Sequence, residues 1–242
     1  MTNGSTLDSP FTSGDPGGEP ARAAVVDLLG LLAYAELVAF FHLADDAGLA
    51  PTLRDKAELA GLAATEHAHF TRLRERLAEL GADPEAAMEP FVAPLDAWHA
   101  QTEPQSWLES LVKAYVGDGI AGDFYRQVAH LADPETRELV MGVLSETGRA
   151  EFVARKVRAA IADEPRLAGR LALWARRLVG EALSQAQRVA AERPRLAALL
   201  TAEEAKGDEA AARQSDLAAV SRVFAKITDS HTARLQAMGL TF

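Results

Sequence analysis

Apolar residues recur at intervals of three and four from about residue 22 to residue 238, and nowhere does a run alternate singly between apolar and polar. That spacing marks one face of an α-helix, whereas a half-buried strand needs a period of two. Abundant Ala strengthens the helical preference, so the chain is expected to be all-α. With 48% apolar residues among 242 it can bury a sizeable core. Cysteine is absent. This removes disulfides, thiolate metal sites, cysteine nucleophiles and iron–sulfur clusters, and leaves His, Asp and Glu to hold any metal.

Six helices are expected. The first runs from about Arg22 to Ala47, with Val25, Leu29, Leu32, Phe40 and Leu43 on one face, and the second from Thr52 to Gly81, with Leu59, Leu62, Phe70, Leu73, Leu77 and Leu80. Between Gly81 and Pro104, four prolines argue against a long helix and for a crossover with at most short helical turns. A third helix follows from about Gln105 to Leu131, and Asp133-Pro134 opens a fourth that reaches Ala162. Two helix hairpins joined by one long connection form a ferritin-like four-helix bundle. Helices from about Leu167 to Glu192 and from Ala202 to Met238 are expected to pack outside the bundle or on a second subunit. The expected organisation is a disordered tail over 1–20 and one helical domain over 21–242, with the core bundle in 21–162 and the extra helices in 163–242.

Ionisable residues sit on the apolar faces. Glu36 lies four after Leu32 and four before Phe40; Glu66 lies four after Leu62, with His69 three further on. In the third helix Asp118 follows Tyr115 by three, whereas Asp123 points away from that stripe; in the fourth, Glu146 follows Val143 by three. Burying an unpaired charge is expensive, so these groups need partners. Two arrangements satisfy them. Glu36, Glu66, His69, Asp118 and Glu146 converge on a metal, an oxygen-rich set suited to iron or manganese, or Arg72, Arg74 and Arg149 neutralise them in buried salt bridges. His42, His67, His99 and His130 fall off the stripes and are expected at the surface or at caps, and His231 is not expected at the site.

Glu36, Glu66-His-Ala-His69, Asp118-Gly-Ile-Ala-Gly-Asp123-Phe-Tyr125 and Ser145-Glu146-Thr-Gly-Arg149 together resemble the four helix motifs of the MiaE-like tRNA hydroxylases, over roughly residues 21–161. The resemblance implies a non-haem di-iron protein that uses dioxygen and a reductant to hydroxylate the isopentenyl group of a modified adenosine in tRNA. By position, Glu36, Glu66 and His69 would hold one iron, and Asp118 and Glu146 the other. The chain departs from the pattern twice. Asp118 is shorter than the expected Glu, and Arg149 stands where a ligand His belongs. A guanidinium cannot ligate a metal and would pair with Glu146 or Asp118 instead. Asp123 and Tyr115 would stand behind the ligands. The alternative is a non-catalytic helical bundle with a degenerate metal site.

The formal charge of −10 argues against a general nucleic-acid coat. Basic residues nevertheless crowd into 149–195, and Arg155, Lys156, Arg158, Arg176 and Arg177 are the candidate grip on a tRNA backbone; balancing the acidic first half is the other role open to them. The charges inside the most apolar stretch, 21–50, argue against a membrane span. The chain is read as soluble and cytoplasmic, a monomer or homodimer.

Overall fold

The computed structural model describes residues 18–129, 132–145, 148–192, 225 and 228–240. The expected tail (except its last residues, which begin α1), the positions of His130 and Glu146 and most of the expected sixth helix lie outside those residues. Among the described residues the chain is helical, with no strand: α1 Gly18–Leu49, α2 Leu53–Glu79, α3 Pro84–Gln101, α4 Trp107–Ala129, α5 Pro134–Leu144, α6 Gly148–Asp163 and α7 Leu167–Glu192. A further helical stretch covers 228–237.

Local chemistry sets most boundaries. Thr52 Oγ1 accepts the Asp55 amide hydrogen at 3.1 Å and so caps α2. At its far end Gly81 takes φ 68°, and the bonds Gly81 N to Ala78 O (2.8 Å) and Ala82 N to Leu77 O (3.0 Å) close a Schellman motif. Asp133 caps α5 through the Thr136 amide at 3.0 Å, with Pro134 in the first turn.

The crossover differs from expectation. It is an 18-residue helix, α3, with Asp83 as cap and Pro90 and Pro94 inside it. Each interior proline removes one backbone donor; what offsets this is packing, with Phe91 fully buried and α3 lying against both α1 and α7. The approach to α1 is close at Gly30, where a Cβ would collide with the Ala87 carbonyl oxygen. Gly30→Ala is therefore expected to destabilise the fold by about 1–3 kcal/mol, measured by denaturant unfolding, because it pushes α3 away despite its better helix propensity. The expected fourth helix is also two, α5 and α6, interrupted around Ser145, whose hydroxyl turns back onto the Gly142 carbonyl at 2.8 Å.

By length and composition α1 includes a stretch that could cross a membrane, but more than half of its most apolar window is buried inside the fold, as in a core helix. Its most extensive packing is against α2. α7, expected on the outside, packs along α4 and α3 and completes the bundle. The core has two parts. One gathers Leu43, Leu59, Leu111, Phe152, Leu171 and Leu178; the other gathers Leu28, Leu32, Phe70, Leu77, Phe91 and Tyr125.

Candidate metal centre and its cavity

Along α1, Glu36 falls between Ala33 of the second cluster and Leu43 of the first; along α2, Glu66 and His69 fall between Ala63 of the first and Phe70 of the second. The ionisable residues thus form a polar layer between two apolar blocks. Glu36, Glu66 and His69 are all buried, and each offers one ligand atom such that the three lie within 4.8 Å of one another. His69 Nδ1 is 3.4 Å from Glu36 Oε2 and 3.8 Å from Glu66 Oε2. The Oε2 of Glu36 is buried without a hydrogen-bond partner. This is a donor set that could hold a metal ion.

The two carboxyl groups are pushed in opposite directions. Burial, helped by the neighbouring Glu66, raises the pKa of Glu36 to about 8. Burial acts the same way on Glu66, but the polar groups of Glu36 and His69 beside it and the charge of Arg149 outweigh that and lower it. The opposite shifts favour one proton on the pair near neutral pH, with Glu36 the carboxyl that holds it more readily.

Arg149, at the start of α6, is buried and reaches into this layer. One guanidinium nitrogen stands 3.2 Å from Glu66 Oε1, and the other bonds Asp118 of α4. Burial opposes its charge, yet Asp118, Glu66 and Glu36 together hold its pKa above the usual value. Asp118 is not on the buried stripe: its side chain is 41% exposed and faces Arg149, while the three inner ligands keep to each other. The expected five-residue cluster is thus divided, with Glu36, Glu66 and His69 together, Asp118 behind the guanidinium, and Glu146 outside the described residues. Asp123 pairs with Arg126 at 3.2 Å and with Arg234 of the C-terminal stretch, away from the centre. Tyr115 is buried in the first apolar cluster, and burial raises its pKa.

Glu36, Glu66, Asp118 and Arg149 open onto a cavity of about 270 Å³, walled mainly by apolar side chains of α1, α3, α4 and α7. The sequence reading missed this chamber, although a signal existed. Ser110, Lys113, Gly117 and Ala121 recur at three and four along α4 as a stripe of small and polar residues, and all four line it. His42 and His99, expected at the surface or at caps, stack at 4.0 Å between ring centres and line the same cavity. Lys113 donates to the His99 carbonyl at 3.2 Å and lies 5.1 Å from the centre of the Trp98 ring; burial lowers its pKa to about 8. His231 is buried elsewhere, near Arg234 and Asp123.

The basic residues of α6 and α7 are largely engaged within the fold. Arg155 pairs with Glu58 at 2.7 Å and Lys156 with the buried Asp55. Arg158 donates to the Ala237 carbonyl at 2.6 Å and Arg177 to that of Gln101 at 2.8 Å, and Arg176 is not free either.

Residues 20–203 match the sequence pattern of a family described as the ferritin-like domain of actinomycetes. The chain belongs to that family. Among solved structures it is similar to one described as protein 19 with aldehyde deformylating oxidase activity, from Synechococcus. The TM-score is 0.62 over 90% of this chain and 93% of that one, at 20% sequence identity; a likeness at that identity establishes the fold. No curated protein matches the chain in sequence.

Proposed function

We propose that the chain is a metal-dependent oxidase of the ferritin-like type, holding one iron on Glu36, Glu66 and His69 and acting on a small apolar molecule in the adjoining cavity. The observation that carries this reading is a compact carboxylate–carboxylate–histidine set, one of its oxygens without a hydrogen bond, whose two carboxylates line an apolar chamber. Such a set suits iron or manganese, and the oxidase activity in the description of the structurally similar protein supports the same class. A bound iron would supply the electron chemistry that allows dioxygen to oxidise an unreactive carbon, with an external reductant restoring it.

The residues of the chain do the rest. Arg149 fixes the outer oxygen of Glu66 and supplies, as a permanent cation, part of the charge a second metal would bring. The walls from α1, α3, α4 and α7 exclude water and align the substrate with Glu36 and Glu66. Iron-loaded protein with ascorbate is expected to consume dioxygen faster when octanol or octanal is added, and Glu66→Ala is expected to abolish the increase. An equal rate in that variant would overturn the assignment.

The finer reading, hydroxylation of an isopentenyl group on tRNA, rests on the four sequence motifs, and the cavity would accept a branched apolar chain. We place it second. A phosphate backbone needs accessible cations, and among the described residues most of those in 149–192 have partners inside the fold. Salt-dependent retention of tRNA on a filter, lost in Arg155→Glu combined with Arg176→Glu, is the result that would reverse this order.

A further inference from the structure

α7 closes the cavity with Ala182, Leu183, Gln185, Ala186 and Val189. All but one are apolar. Gln185 is 6% exposed, and both its carboxamide oxygen and its carboxamide nitrogen are buried with no hydrogen-bond partner. Two indoles in the same packing are satisfied: Trp174 Nε1 donates to the Glu109 carbonyl at 2.9 Å and Trp98 Nε1 to that of Leu178 at 3.4 Å. A carboxamide removed from water at two atoms, with no return at either, costs stability that Leu or Met would not. Its side chain is placed where a ligand can supply both a donor and an acceptor.

The charge around the cavity indicates what kind of ligand. Four carboxyl groups line it (Glu36, Asp46, Glu66 and Asp118) against two cations, Lys113 and Arg149. Arg149 is tied to Glu66 and Asp118, and Lys113 to a backbone carbonyl and an indole face. No net positive field favours an anion. Deepening the reading of this cavity as the substrate chamber, we propose that Gln185 determines specificity, recognising the single uncharged hydrogen-bonding group, a hydroxyl or primary amide, of an otherwise apolar substrate.

The test uses the full chain freed of metal by chelation, so that binding is read apart from oxidation. Affinities for octanol, octane and octanoate are measured by quenching of the tryptophan emission, to which Trp98 in the cavity wall contributes. Octanol is expected to bind wild type and to weaken about tenfold in Gln185→Leu, the loss of roughly one good hydrogen bond, while octane affinity is kept. The ligand-free variant is expected to melt higher than wild type, because two unsatisfied atoms are gone. Gln185→Met, closer in shape, repeats the measurement should the leucine variant fold poorly.

Unchanged octanol affinity in Gln185→Leu would overturn the proposal and assign the carboxamide to cavity water. So would loss of octanol binding in Lys113→Met but not at Gln185, or octanoate binding more tightly than octanol. Binding of octanol that ignores Gln185 leaves the cavity as a substrate chamber; if none of the three probes binds wild type, the chamber reading fails with the proposal.

Discussion

Protein produced in iron-rich medium is expected to carry about one iron per chain, and Glu66→Ala essentially none, by elemental analysis after desalting. Glu66 is the residue to remove because it faces both ways, toward Glu36 and His69 on one side and toward Arg149 on the other. Iron retained in Glu66→Ala would mean that the metal sits elsewhere. Uptake should also release a proton. Glu36 is protonated in the metal-free protein near neutral pH, its pKa having been raised to about 8, and a metal binds the carboxylate. Below that value, affinity should therefore rise about tenfold per pH unit, which titration calorimetry in buffers of different ionisation enthalpy can check.

The same shift governs the stability of the metal-free form. A carboxyl whose folded pKa lies above its usual 4.5 binds more protons folded than unfolded. Its contribution is complete below 4.5 and is lost as pH rises toward about 8. Glu66, shifted the other way, makes a contribution that is lost only as pH falls below the usual carboxylate range. Between these limits, metal-free protein is expected to melt lower as pH increases from about 5 to 8, and iron is expected to reverse that slope.

Much of the fold could be read from local signals, because caps act locally. Thr52, Gly81 and Asp133-Pro134 mark helix ends that depend on a few neighbouring atoms, and the structure places ends at each of them. α3 could not be read that way. Pro90 and Pro94 argue against a helix within their own segment, and only the packing of Phe91 and the gap left by Gly30 override them. The position of α7 was hidden for a related reason: periodicity shows which face is apolar, not which helix covers it. Glu36, Glu66 and His69 were legible as charges in apolar stripes flanked by Leu and Phe. Asp118, expected on the buried stripe, lies at the edge of the core, where the long reach of Arg149 decides what the carboxylate meets.

Arg149→His is expected to raise iron from about one to about two per chain, and Arg149→Met is not. The argument begins with charge. Glu66 and Asp118 bring two carboxylates to one guanidinium, so removing it leaves buried and half-buried anions without a counterion. In chelated protein Arg149→Met should therefore lose about 3–5 kcal/mol of stability. A smaller loss is expected for Arg149→His, whose ring can still be protonated beside the acids. The two variants separate once metal is added. The imidazole can ligate together with Asp118 and the outer oxygen of Glu66, so added iron should stabilise Arg149→His beyond its effect on wild type; the thioether is a poor ligand for a hard cation, and Arg149→Met should gain only what the inner site gives. Equal iron contents in both variants would show that the guanidinium is only a structural cation. Two irons in Arg149→His would show instead that a single side chain sets the number of metals the ferritin-like frame can hold.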